Sequence, residues 1–392
     1  MNFPRRQEPI PLSGPSAELV FTTILTQGPI SRVEVARRTD VSTAAVTNAV
    51  RPLLEAAYLV EVADRPAGTG LGRPAAPLRV WADRAFFIGA KVTGDEVIAV
   101  ITDLQARVRA TRRVPFTARE TDAVADAIAT AVDGLLAGDD DVRSRVRALG
   151  VSLSGDIDRE LGVVRYSPFL GWRDVPFTQL AETRIGLPVV VENDVRALTA
   201  AERWFGAGKD AASFVLVTVG SGIGCGMVVN GAVVSGAHGV AGEIGHLTVD
   251  PEGPECHCGN RGCVEAIGAD PAIVRQANQL PGVNVQTPAE AAALAHEGHE
   301  GVRAVYARAG RAIGLGIAAV VNLIGPEKVI ISGEGLAAYD LFEEQVRATF
   351  TQYAFGTAAQ CDITVCPLGF EEWARGAAAV AIQSLISQDR KR

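Results

Sequence analysis

Cysteine and basic charge are both scarce in this chain, and each scarcity excludes a class of protein. Six cysteines in 392 residues do not make a secreted disulfide framework. A formal net charge of −8 excludes a surface coated in lysine and arginine. No apolar run reaches the roughly 20 residues of a membrane span, and MNFPRRQEPIPLSGPS carries two arginines without an apolar h-region behind them. The expectation is a cytoplasmic protein with no membrane partner. What is plentiful is apolar residue and glycine: 48% hydrophobic content and 41 glycines suit two or three domains with sizeable cores.

Charge is unevenly spread. Residues 1–82 hold nine Arg/Lys against seven Asp/Glu, whereas the rest of the chain holds 28 against 38. Any nucleic-acid role therefore belongs to the N-terminal segment. There SAELVFTTILT has helical apolar spacing and stops at Gly28-Pro29; Ser31 with Glu34 reads as a capping box opening SRVEVARRT; and Ser42 caps STAAVTNAVRPLLEAA. YLVEV and PLRVW flank DRPAGTGLGRPAA as strands flank a wing, so residues 16–82 read as a winged helix-turn-helix. A three-helix protein-interaction bundle is the plain alternative, and the wing and the charge skew favour DNA. The start of the second helix of the motif would enter the major groove, presenting Thr43, Ala44, Thr47 and Asn48 to base edges, with Arg51 and wing Arg73 on phosphate or a narrow minor groove. Pro52 is expected to bend that helix after Arg51.

Beyond residue 82 strands and helices alternate. FFIGAKV, DEVIAVITDL and ARVRATRRV read as strands and TDAVADAIATAVDGLLA as a helix, followed by the strand-then-loop units VRALGVSLSG and PVVVEND. The pattern recurs with FVLVTVGSGIGCGMVVNGAVV, the helix YARAGRAIGLGIAAVVNLI, the strand KVIISGEGL and the helix EEWARGAAAVAIQSLI. Two α/β lobes with glycine turns after strands suit a ligand held between them.

GEIGHLTVDPEGPECHCGNRGCVE, together with VENDVRALTAAE and VTVGSGIGCG, resembles the ROK family of repressors, open reading frames and sugar kinases. The resemblance implies an α/β, actin-like and ribonuclease-H-like two-lobed sugar-kinase fold behind the winged helix-turn-helix. The expected division is 1–82 for the DNA reader, 83–195 plus 372–392 for the first lobe and 196–371 for the second. The resemblance further implies a structural zinc, a bound sugar, and a homodimer or homotetramer.

Zinc in a closed site takes four Cys or His ligands in a tetrahedron, and His246, Cys256, Cys258 and Cys263 supply them, with Gly259 and Gly262 allowing the tight turns. His257 competes, but lying between two ligating cysteines it is expected to point away. An imidazole that binds metal through one nitrogen can donate from the other, so His246 can also address a sugar hydroxyl. The resemblance assigns sugar contacts to Glu243, His246 and Glu265, and to Asn193 and Asp194. In the family's kinases the counterpart of Asp194 is the general base.

The phosphate side departs from the family pattern. Aligned to the kinases' Asp-x-Gly-Gly-Thr-Lys loop, FFIGAKVTGDEV places Lys91 at the Asp, Thr93 at the first Gly, and Asp95 and Glu96 at the Thr and Lys. A lysine does not ligate magnesium, and added carboxylates repel a triphosphate. A second phosphate-type turn, Gly220-Ser221-Gly222-Ile223-Gly224, and a partial adenosine-type segment, Ser332-Gly333-Glu334-Gly335, survive. The expected function is therefore a DNA-binding, sugar- or sugar-phosphate-responsive transcriptional regulator, a repressor acting on operator DNA, with a kinase module that no longer catalyses. A bifunctional, glucokinase-like sugar kinase that also binds DNA, and a DNA-binding scaffold that has lost its sugar, are the rivals.

Overall fold

Capping residues set the limits of the first helices in the computed structural model, which describes residues 9–62 and 76–387. Helix α1 (Pro15–Gln27) opens on a proline, where no amide partner is needed, and buries Val20, Phe21, Ile24 and Leu25. Helix α2 (Arg32–Thr39) begins at Ser31, whose hydroxyl accepts from the Glu34 amide, and α3 (Thr43–Glu55) at Ser42, which accepts from Ala45. The Glu34 carboxylate turns onward to Arg37 and Arg38. Pro52 does not end α3, which continues to Glu55. The carbonyl that loses its donor to the proline belongs to Asn48, an exposed residue. Strand β1 (Leu59–Glu61) pairs antiparallel with β2 (Leu78–Val80), and Ile30 bridges Leu78, tying the hairpin to the helices.

Next come β3 (Phe86–Val92), β4 (Glu96–Asp103) and β5 (Val108–Pro115), then α4 (Thr121–Leu135), α5 (Asp140–Arg145) and β6 (Val146–Leu153). A small antiparallel sheet of β7 (Asp156–Asp158), β8 (Val163–Ser167) and β9 (Trp172–Val175) precedes α6 (Phe177–Ile185), β10 (Val189–Asn193) and α7 (Asp194–Phe205). The main sheet has the order β10-β6-β3-β4-β5, with β3 antiparallel to β4 and parallel to β6.

The same plan then repeats. Strands β11 (Phe214–Val219), β12 (Ile223–Val229) and β13 (Ala232–Val233) are followed by α8 (Val264–Gly268), α9 (Asp270–Ala277), α10 (Pro288–His296) and α11 (Glu300–Ile324). Strand β14 (Lys328–Gly333), α12 (Glu343–Tyr353) and β15 (Asp362–Pro367) complete it. The second sheet, β13-β12-β11-β14-β15, has the same order and the same strand senses as the first. This duplicated α/β arrangement is the two-lobed sugar-kinase fold that the resemblance implied.

Contacts divide the chain into two compact units. One runs from the N-terminal side to Phe205 and resumes at Glu371, and the other is Gly206–Phe370. The core of the second unit is built around α11, where Tyr306, Ile313, Ile317 and Val321 join Val215, Val217, Val329 and Ile331. Among the described residues α11 is the one helix long and apolar enough to cross a membrane, yet more than half of its apolar window is buried in this core.

The last helix, α13 (Phe370–Ile386), returns to the first unit. It lies so close to the first sheet that a Cβ on Gly89 would meet the Ala374 carbonyl, and one on Gly150 the Ala377 carbonyl, both at 1.9 Å. Only glycine permits that approach. Ile382 and Ile386 share one buried cluster with Phe87, Leu104 and Trp204, and with Val20, Phe21 and Ile24 of the N-terminal helices.

Candidate functional site

The cysteine loop folds into a cage. His246 ends a 3₁₀ turn (Ile244–His246), Cys263 immediately precedes α8, and bridges Thr248–Cys263 and Glu255–Arg261 fold the segment between them back on itself. Gly259 and Gly262 have φ of +93° and +62°, and a Cβ on Gly262 would strike the Asp250 carbonyl at 1.5 Å. Both therefore have to be glycine.

Four donor atoms converge there, from His246, Cys256, Cys258 and Cys263, all within 4.8 Å of one another. His246 Nδ1 is 3.5 Å from Cys256 Sγ, and Cys258 Sγ is 3.8 Å from Cys263 Sγ. A tetrahedral zinc, with bonds of about 2.3 Å to sulfur and about 2.0 Å to nitrogen, has S–N and S–S edges of about 3.5 and about 3.8 Å. The donor set fits that ion in both chemistry and spacing. Burial pushes the Cys256 thiol up to about 12 and raises Cys263, whereas the Asn260 amide pulls Cys258 down. A bound cation, taking the thiolates as ligands, would offset that cost.

Glu265, in the first turn of α8, holds two neighbours at once. Its Oε2 accepts from the Ile223 amide at 3.0 Å, and its Oε1 lies 3.2 Å from His257 Nδ1. His257 does not point away, as the spacing suggested. Its ring packs edge-on to His246 with centroids 5.0 Å apart, because the Glu265 carboxylate offers it a partner beside the cage. Glu243 opens the 3₁₀ turn that ends in His246 and is exposed. Burial and then the charge of Glu243 raise the Cys225 thiol of β12 to about 12.

Asn193 and Asp194 stand in the first unit, where β10 meets α7. The Asn193 side chain accepts from the Arg196 amide at 3.1 Å and donates to the Gly155 carbonyl at 3.0 Å, so it fastens the start of α7 to the turn after β6. Asp194 is buried against Lys91, whose ammonium donates to Oδ2 and sits 5.3 Å from the Trp373 ring centroid. Ser154 Oγ donates to the same oxygen at 2.6 Å, and the Val195 amide donates to Oδ1 at 2.9 Å. Burial alone would raise Asp194, but the charge and hydrogen bond of Lys91, with Ser154 and Val195, hold it below the ordinary carboxylate value. The odd lysine was legible in the sequence, but its pairing with a residue 103 positions away was not. Nor was Ser154, although a Ser-Gly pair directly after a strand is a signal for it.

On α3 the residues Thr43, Ala44, Thr47, Asn48 and Arg51 are all exposed, opposite buried Val46, Ala49, Val50 and Leu53. The Thr47 hydroxyl donates to the Thr43 carbonyl at 2.9 Å. Arg73 lies outside the described residues. Arg79 on β2 is a further exposed cation on the hairpin that sequence reasoning had not singled out.

A duplicated sheet with a cysteine–histidine cage and a helix-turn-helix in front defines a sugar-kinase-type α/β protein with an N-terminal DNA-reader-like unit. A profile of the ROK family matches residues 87–384, and the chain belongs to that family. Its relatives include the DNA-binding transcriptional dual regulator NagC of Escherichia coli (strain K12), 32% identical over 326 residues, which span 80% of this chain and 79% of NagC. A glucokinase of Streptomyces coelicolor is 31% identical over 312 residues, spanning 75% of this chain and 96% of the enzyme. Among solved structures, a ROK family transcriptional regulator described as a homolog of the E. coli MLC protein superposes with a TM-score of 0.81 at 26% identity, covering 94% of this chain and 96% of the other.

Proposed function

We propose that this chain is a sugar-responsive, DNA-binding transcriptional regulator, a repressor of carbohydrate-metabolism genes, whose kinase module does not catalyse. The observation that carries the regulatory reading is Lys91 on Asp194. A general base needs an oxygen within hydrogen-bonding reach of the hydroxyl it deprotonates and a proton affinity matched to the task. Asp194 Oδ2 is engaged by both Lys91 and Ser154, and the carboxylate is held in its ionised form. Such an Asp can accept a sugar hydrogen bond but is a poor proton acceptor. The lysine also replaces the carboxylate that a metal-nucleotide would need at that strand end.

The family match begins at residue 87, so the winged helix stands ahead of it, and the solved ROK regulator covers 94% of this chain against 75% for the glucokinase. Thr43, Ala44, Thr47 and Asn48 would read base edges, while Arg51, Arg73 and Arg79 would neutralise phosphates. Zinc would be held by His246, Cys256, Cys258 and Cys263, and its role is to fix the loop that carries the sugar ligands. Glu243, His246 and Glu265 in the second unit, and Asn193 and Asp194 in the first, are the proposed sugar contacts. The Asn193 amide is already employed on both its polar atoms, so it is the weakest of the five. Protomers would pair, as a helix-turn-helix reading two half-sites requires.

The test is titration of pentoses, hexoses and their phosphates against an operator complex, for wild type and Glu243→Ala. A sugar should release the wild type from DNA. Losing one acceptor of a buried hydroxyl costs about 1–3 kcal/mol, so the midpoint of the variant should rise by about five- to two-hundredfold. A set of sugars that changes neither melting temperature nor operator affinity would make the chain a scaffold. ATP-dependent sugar turnover that Asp194→Asn abolishes would make it a kinase.

A further inference from the structure

His257 stands between two cage ligands in the chain, yet its ring works outside the cage. The turn that carries it is closed by backbone hydrogen bonds: the Cys256 amide donates to the Asn260 carbonyl at 2.8 Å, and the Gly259 amide to the Cys256 carbonyl at 3.0 Å. With Cys256 and Cys258 both turned towards the other donors of the cage, the residue between them is held at its backbone from either side. Its side chain is 63% exposed, but the ring is not loose. Nδ1 lies 3.2 Å from Glu265 Oε1, and the ring plane meets that of His246 at 80°. An imidazole nitrogen so placed carries its proton towards the carboxylate.

Glu265 is gripped from its other oxygen as well. Its Oε2 accepts from the Ile223 amide at 3.0 Å, and a Cβ on Gly222 would fall 2.8 Å from that oxygen, so the missing side chain at 222 is what admits the carboxylate. One oxygen on a backbone amide and the other on an imidazole fix the plane of the group, while each oxygen keeps a lone pair for a further donor. His246 turns Nδ1 to the cage, 3.5 Å from Cys256 Sγ, which leaves Nε2 to face outward. Donor atoms of His246, His257 and Glu265 lie within 4.8 Å of one another, close enough for hydroxyls on neighbouring carbons to address them together.

We propose that His257 is a positioning residue for sugar recognition: it sets the plane in which Glu265 meets a sugar hydroxyl, and the cage sets His257 in turn. The cage thus acts on the sugar through two histidines, His246 directly and His257 by way of a carboxylate. The inference rests on the sugar assignment to Glu265.

Calorimetric titration of D-glucose, D-xylose and N-acetyl-D-glucosamine into the zinc-loaded full chain tests it. His257→Phe keeps a ring against His246 and removes the donor, whereas the amide of His257→Asn returns a donor near the place of Nδ1. For a sugar that wild type binds, His257→Phe should weaken affinity about five- to twentyfold and His257→Asn should recover most of the loss. Zinc content should stay at the wild-type value in both. Added to Glu265→Ala, His257→Phe should weaken binding no further, because its route to the sugar is already gone. Equal affinities of wild type and His257→Phe would overturn the proposal. So would a loss that asparagine does not restore, one that persists beside Glu265→Ala, or one that comes with loss of zinc, which would make His257 a cage ligand. A wild type that binds none of the three sugars would instead remove the sugar reading, and this one with it.

Discussion

A buried aspartate and a half-buried one show opposite solutions to one problem. Asp194 is compensated by Lys91, and removing either partner alone would leave an unpaired buried charge, which typically costs about 3–5 kcal/mol. Asp270 has no such relief: burial and Glu334 move its carboxyl from 3.8 to about 6. An acid whose value is raised by folding binds its proton more tightly when folded, so its contribution favours the fold at low pH. That advantage is lost as pH rises from about 4 to about 6, leaving a penalty on the order of 2–3 kcal/mol at neutral pH. Asp270→Asn should therefore raise the melting temperature at pH 7 and leave it nearly unchanged at pH 4. A difference from wild type that is equal at both values would mean that Asp270 is not strained. Neither aspartate's setting was legible in the sequence, because each depends on a charge brought from another strand or turn.

Among elements, those with strong local signals were the legible ones. Ser31 and Ser42 cap the helices they were expected to cap, and the glycines of the cysteine loop adopt the positive φ their spacing implied. Elements without such signals escaped. Strand β15, largely half-exposed, and β7 to β9, three to five residues each, show no clean alternation, and the run of short helices α8 to α10 is set by packing on α11. His257 was misplaced because spacing along a loop does not reveal which carboxylate faces it. The cage itself gives a direct prediction. Purified protein should carry close to one zinc per chain, and Cys258→Ser should lower both zinc content and melting temperature, since metal binding contributes to folding. A wild type that is free of zinc and keeps its melting temperature in the presence of a chelator would rule the ion out.

For the whole molecule, the alternation of strands and helices made the duplicated α/β plan readable, and the wing's composition suggested a reader separable from the rest. The buried cluster crosses that boundary: Phe87, Leu104, Trp204, Ile382 and Ile386 lie in one core with Val20, Phe21 and Ile24. Deleting residues 1–82 should abolish operator binding and also uncover this surface. The truncated protein should then melt at a lower temperature and bind an apolar dye more strongly than the full chain. An unchanged melting temperature would show that the shared core contributes nothing to the first lobe.

Helix α13 gives this core a particular order of assembly. It is made from the last described stretch of the chain, yet it covers the sheet at Gly89 and Gly150 and supplies Ile382 and Ile386 to the cluster of the first helices. Burial of the first helices is therefore completed only when this distant segment of the chain returns to them. A chain without α13 would keep an open apolar face, exposed to chaperones and proteases.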